Sequence, residues 1–248
     1  MNWIDFFDNL TVVTSDKVCQ NGGFFTFDRN IYKKIFDDVD KSLNFSKNDT
    51  VLDMGCGNGE LARFIIPRVN RVILAEGAQK VLDLARHNTE EFKNTGFALV
   101  DLNKDYNLGQ LGRFEKILCY SVVHYLNNYQ KFEEFLEKSI SSLAPKGMLL
   151  VGDIPLAEKK AEYLAGRGKR FFSNLLGTAK HFFFKKMTAA TISHIDAKVE
   201  SNGGVVYTKE KIDKTLRTIG NNVDFKWVLE NPKLPFFVSR EHLLIIKN

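Results

Sequence analysis

Cysteine is scarce in this chain. Its three cysteines among 248 residues, Cys19, Cys56 and Cys119, form no C-x-x-C pair and have no nearby histidine partner. That excludes a disulfide framework and a zinc site and leaves ordinary reduced thiols. Nowhere does an apolar run approach the roughly 18 residues that a membrane-spanning helix needs. The opening MNWIDFFDNL has no basic start followed by an apolar stretch, so the expectation is a cytoplasmic protein. Internal repeats and low-complexity tracts are also missing. What remains is an ordinary soluble composition, 44% apolar and 26% charged, at a length that suits one α/β domain with a full core.

Within that composition one stretch stands out. Val51-Leu52-Asp53-Met54-Gly55-Cys56-Gly57-Asn58-Gly59-Glu60-Leu61 is an apolar run that ends in an acid and passes three glycines at alternate positions. It then enters helical periodicity at Leu61, Phe64 and Ile65, which reads as strand, tight loop, helix. A dinucleotide fingerprint would be G-x-G-x-x-G with a pyrophosphate on the helix N-terminus. Here the spacing is G-x-G-x-G, and Glu60 stands where that third glycine belongs. Asp53, two residues before the first glycine, would repel a pyrophosphate and attract an ammonium or sulfonium. The loop calls for a cationic ligand head, which makes a nicotinamide dehydrogenase the weakest reading.

The pattern D-x-G-x-G-x-G after a strand resembles motif I of the class I S-adenosylmethionine-dependent methyltransferases. A second checkpoint is an acid at the end of the second strand, able to accept from two ribose hydroxyls. Glu76, closing Arg71-Val72-Ile73-Leu74-Ala75-Glu76, lies 21 residues beyond Gly55, close to the spacing of roughly 20 for a ribose-binding acid. The resemblance implies an α/β, Rossmann-like, seven-stranded and mostly parallel sheet with an antiparallel last strand and helices on both faces. It implies S-adenosyl-L-methionine as cofactor, held by Asp53, Gly55, Cys56, Gly57, Glu76, Gly77, Asp101, Leu102 and Cys119. Asp101 would accept from the adenine amino group, and the Leu102 amide would meet a ring nitrogen. Gly77 departs from the pattern, because many relatives carry an apolar side chain there to pack on adenine; that packing must come from elsewhere.

The elements follow in order. Spacing predicts helices over about 28–42, 79–88, 129–143 and 209–219, and strands over 97–101, 114–120, 148–154, 223–229 and 242–247. Residues 1–46 would form an N-terminal helical cap, with a turn at 21–25. Residues 47–154 would be the cofactor-binding core, 155–204 a lid insert, and 205–248 a closing helix and strand pair. Phe114-Glu115-Lys116-Ile117 followed by Ser121-Val122-Val123-His124-Tyr125-Leu126 resembles the F-D-x-I…S-V-x-H-x-L pattern of small-molecule methyltransferases. The N-P-P-Y or D-P-P-Y tetrapeptide by which many nucleic-acid and glutamine N-methyltransferases hold a planar amide is missing, which disfavours those acceptors.

Residues 156–200 carry nine Lys/Arg against four acids. That excess equals the +5 of the whole chain, so the rest is neutral. Arg167 to Lys186 has no acid and interleaves Phe171, Phe172, Phe182, Phe183 and Phe184 with basic residues. Four readings compete: a lid for an anionic small-molecule substrate, peripheral membrane contact through 166–187, a nucleic-acid contact, or simply core and dimer phenylalanines with a solvated basic rim.

Methyl transfer is an in-line displacement, so the protein must align the nucleophile, exclude water and accept a proton. His124, at the carboxyl edge after the fourth strand, is the leading base with an unperturbed pKa near 6.5. His181 and His194 are alternatives, and His87 and His242 read as surface or structural. Only Asp153 stands near the fourth and fifth strand ends, so no catalytic metal is expected. The reading is a class I methyltransferase acting at oxygen or nitrogen of a small, anionic metabolite. Its rivals are an RNA or membrane-lipid methyltransferase and a non-catalytic, cofactor-binding partner subunit.

Overall fold

The computed structural model describes residues 3–13, 30–162, 205–220, 222–234 and 239–248. Cys19, the turn at 21–25, most of the insert, His181 and His194 lie outside the described residues.

Short apolar runs build the sheet. Strands β1 (Thr50–Met54), β2 (Arg71–Glu76), β3 (Thr95–Leu99), β4 (Phe114–Tyr120) and β5 (Leu143–Pro155) pair in parallel. They are followed by β6 (Val223–Leu229) and β7 (Arg240–Lys247), and β7 runs antiparallel to both β5 and β6. The strand order is β3-β2-β1-β4-β5-β7-β6. The chain reverses direction across the sheet between β1 and β4, and at such a switch point the carboxyl ends of neighbouring strands open a crevice.

Alternation along each strand sends side chains to two cores. Helices α2 (Ile31–Leu43), α3 (Ala62–Ile65) and α4 (Gln79–Asn88) cover one face: Ile35, Phe36 and Val39 pack with Val51, Leu74 and Leu118. Helices α5 (Tyr129–Ser142) and α6 (Lys209–Ile219) cover the other, where Phe132, Phe135 and Leu216 meet Leu52, Ile117 and Leu149. Burying an aliphatic or aromatic side chain on either face contributes about 1.5–3 kcal/mol.

Element types agree with the sequence pattern, and three local differences have plain causes. The helix after the glycine loop is short, because Pro67 cannot continue the ladder and the chain tightens into a 3₁₀ turn over Ile66–Arg68. Strand β5 begins at Leu143, directly after α5, with an irregular pairing to β4 between Phe114 and Lys116. Within the expected N-terminal helical cap lies a helix whose position no spacing had marked, α1 (Trp3–Val13).

Candidate active site

Backbone geometry explains the glycine loop. Gly55, Gly57 and Gly59 have φ of 73°, 55° and 79°, a left-handed region that side chains disfavour. At Gly55 space is also limiting, because an added Cβ would lie 2.3 Å from Val122 Cγ2. The Gly55 and Cys56 N–H groups both donate to the Ala75 carbonyl, at 2.7 and 3.1 Å, which locks the loop against the end of β2.

Glu76 is gripped by that same backbone. Its Oε2 accepts from the Gly57 N–H (3.1 Å), and its Oε1 accepts from Gly77 (2.8 Å) and Ala78 (3.2 Å). Burial raises its pKa, and the three N–H donors oppose the rise. Asp53, only 2% exposed, is held differently. Its Oδ2 is buried without a hydrogen-bond partner, and burial together with the Glu76 charge pushes its pKa up to about 7. A buried carboxylate oxygen with no donor is costly, and a cationic group beside it would offset that cost.

Gly55, Gly57 and Glu76 border a cleft whose empty space, counting its open mouth, is about 840 Å³, and Asp53 and Gly59 are not among its lining residues. Gly55, Gly57, Glu76 and Gly77 form one wall, and Val100, Asp101, Leu102 and Asn103 form another. Tyr120, Ser121, Val122 and Tyr125 close the far side. Asp101 turns its loop by accepting the Asn103 N–H at 3.0 Å. Asn103 in turn ties this loop to the segment after β4, donating to the Tyr125 carbonyl (3.1 Å) and accepting from the Asn127 N–H (2.7 Å).

Helix α1 supplies the remaining wall with Trp3, Ile4 and Phe7. Trp3 and Phe7 pack edge-on against Tyr125 at ring separations of 4.6 and 5.3 Å, and Asp8 Oδ1 accepts the Lys80 N–H at 2.9 Å. Sequence reasoning missed these residues. Their one signal was the spacing of Trp3, Phe6 and Phe7 before a polar stretch.

Not every expected residue faces the cleft. Cys119 is fully buried in the core with Leu52 and Met54, and Cys56 is buried among Leu61 and Ala62. Both thiols are pushed up by burial and by nearby carboxylates. His124 is not part of the cleft wall. Its ring lies 4.1 Å from that of Tyr125, and its Nδ1 is 3.4 Å from Arg240 Nη1. Burial and the guanidinium push its pKa down to about 3, so the imidazole departs from the ordinary value expected from sequence and stays neutral.

Behind it stands a buried polar chain. Arg240 Nη1 donates to the Asp153 carbonyl (3.0 Å) and to its Oδ2 (3.2 Å). The Asp153 N–H donates to His242 Nδ1 at 3.1 Å, so the proton of this fully buried imidazole sits on Nε2, which contacts Asp38 Oδ2 at 3.0 Å. His242 is thus structural. Asp153 Oδ1 has no hydrogen-bond partner, and burial raises the pKa of the group while Arg240 opposes the rise. Asp153 and Ser121, on adjacent strand ends, both adopt φ of 60°, an uncommon conformation that clusters at functional sites.

A family model for a methyltransferase domain matches residues 45–218. The chain belongs to the class I methyltransferases, whose methyl donor is S-adenosylmethionine. Among curated proteins, this methyltransferase is 23% identical to the ribosomal RNA small subunit methyltransferase A of Mesomycoplasma hyopneumoniae (strain 232), over 82% of this chain and 80% of that protein. Among solved structures it resembles the N-methyltransferase NodS of Bradyrhizobium japonicum WM9 in complex with S-adenosylhomocysteine. That match has a TM-score of 0.64 and 13% identity, and covers 100% of this chain and 99% of the other. Phosphoethanolamine N-methyltransferase 1 of Haemonchus contortus is similar at a TM-score of 0.63 and 14% identity, over 98% of this chain and 47% of that one. The residues at and beneath the cleft fit such a donor: the orphaned Asp53 oxygen suits a cationic head, and Glu76, held by three N–H groups, keeps lone pairs for hydroxyls.

Proposed function

We propose that this methyltransferase acts at an oxygen or nitrogen of a small, anionic acceptor that docks at the carboxyl ends of β4 and β5. The observation that carries the donor half is the buried, unpartnered Asp53 carboxylate at the glycine loop. In this reading Asp53 faces the amino or sulfonium end of the donor, Glu76 accepts from the ribose hydroxyls, and Asp101 with the Leu102 amide reads the adenine edge. When bound, the cofactor supplies an activated methyl group on a sulfonium. The chain then has to align the nucleophile, keep water out and take a proton.

For the proton we take Asp153 over His124, neither of which lines the cleft itself. A base must be able to hold a proton near the working pH. His124, held low and facing Arg240 through Nδ1, carries its proton on Nε2. It therefore offers a hydrogen-bond donor, not a base, behind the cleft-lining Tyr125. In this reading Asp153, buried beside the cleft-lining Ser121 and with Oδ1 unengaged, takes the proton. The anionic character of the acceptor rests on the net charge of 156–200. At the insert's roots Lys159 and Lys209 are matched by Glu241, and Arg240 by Asp153.

A second reading has a specific observation behind it, the similarity to the ribosomal RNA methyltransferase over most of both chains. Against it stands Ser121-Val122-Val123-His124 after β4, in place of a tetrapeptide that grips a planar base. Turnover of radiolabelled S-adenosylmethionine, with phosphorylated and carboxylated amines and alcohols in one series and ribosomal RNA in the other, separates the two. Label transfer to small acceptors alone supports the first reading, and transfer to RNA alone overturns it.

A further inference from the structure

Position 77 directly follows the ribose acid, so its side chain would lie under the base of the donor. A glycine there offers no apolar surface. The space above it is filled from elsewhere in the chain: a Cβ built on Gly77 would stand 3.3 Å from Ile4 Cδ1 and 3.5 Å from Ile4 Cγ1, with the Val100 carbonyl at 3.4 Å. Ile4 also lines the cleft beside Val81 and Leu102. The helix that carries it is fixed from two sides, by Trp3 and Phe7 on Tyr125 and by Asp8 on the first turn of α4.

We infer that Ile4 and Gly77 are one complementary pair. Ile4 reaches in from α1 to supply the apolar contact for the adenine ring that residue 77 does not make, and residue 77 is glycine so that Ile4 can reach in. The cofactor site of this methyltransferase is then incomplete without α1, and α1 is a binding element for the donor. The inference rests on the cofactor reading of the cleft, and its test keeps the two apart.

The complementarity can be exchanged, which gives a test that simple damage cannot mimic. S-adenosylhomocysteine affinity is measured by titration calorimetry for the full-length protein and for Ile4→Ala, Gly77→Val and Ile4→Ala/Gly77→Val, with circular dichroism as the check on folding. Ile4→Ala removes apolar contact and weakens binding about tenfold. Gly77→Val drives its methyl groups into Ile4, displaces α1 and weakens binding by about tenfold or more. In the double variant the valine fills the space that the isoleucine has left, and affinity returns to within about threefold of the wild type. Should Gly77→Val not fold, Ile4→Leu retaining affinity while Ile4→Ser loses about tenfold carries the same test. Unchanged affinity in Ile4→Ala, or a double variant weaker than both single ones, overturns the inference. A wild-type protein that does not bind S-adenosylhomocysteine overturns the cofactor reading itself.

Discussion

At the residue scale, what could be read from sequence was the part of the site that lies in one stretch of chain. Asp53, the three glycines and Glu76 belong to a strand–loop–helix–strand segment whose spacing reflects local geometry; Gly55, Gly57 and Glu76 line one cleft, and Asp53 is buried beneath the loop. His124 was a different matter. Its chemistry is set by Arg240, 116 positions away, and by burial that no local pattern encodes. The same long-range pairing hid Asp153, whose partners Arg240 and His242 come from the last strand. The consequence is a measurable reversal of roles. Asp153→Asn should lower kcat by about 10²–10⁴-fold, the usual contribution of a proton acceptor. His124→Ala should raise KM and cost about tenfold or less in kcat, because it removes one hydrogen bond. Steady-state kinetics of both variants decides this, and a larger kcat loss for His124→Ala would restore the histidine as base.

At the element scale, periodicity was enough for helices that pack one face on a sheet, such as α4 and α6, and for the buried strands. It failed for α1. This helix rests on the open cleft more than on a core, so its aromatic residues make no regular buried stripe. Pro67 marks a different kind of miss, where the element type was right and its extent was set by one residue's backbone limits. The roots of the insert show how distant elements are held together. Leu156 bridges to Tyr207, and the Lys209 N–H at the start of α6 donates to Glu158 Oε1 at 2.9 Å. Glu241 of β7, 2% exposed, faces Lys159 at 3.0 Å and Lys209 at 2.5 Å. Replacing it with alanine leaves two cations facing each other, and Glu241→Ala should lower stability by about 2–4 kcal/mol, read as a reduced midpoint in urea unfolding. Glu241→Gln should cost less, because it keeps the packing and one acceptor.

At the scale of the whole molecule, the strand order reverses between the paired strands β1 and β4, and the acids Asp53, Glu76 and Asp153 gather at the carboxyl ends of β1, β2 and β5. Asp53 there works against folding in the ligand-free protein. Its folded pKa, about 7 against an ordinary 3.8, means that the folded state keeps a proton that the unfolded chain has already lost. Stability therefore declines as pH rises from about 4 to about 7 and is level above that. A cationic donor reverses the balance, since it favours the ionised carboxylate: affinity should rise with pH through about 7 and then level off, with a proton released on binding along the rising limb. The sequence pattern conveyed the placement of this acid before a glycine loop. It did not convey that the carboxylate's Oδ2 is buried without a hydrogen-bond donor, because that depends on β2 and β4 flanking β1 from distant parts of the sequence.

Calorimetric titration of S-adenosylmethionine between pH 5.5 and 8.5, on the wild type and on Asp53→Asn, tests that balance most directly. The amide keeps the shape of the carboxylate and removes its charge, so the variant should be more stable than the wild type at pH 8 by about 2–4 kcal/mol, bind the donor about 100-fold more weakly, and show no rise in affinity with pH. If Asp53→Asn binds as tightly as the wild type, with the same pH dependence, the cleft does not hold its donor through Asp53, and the site described here is not where methyl transfer occurs.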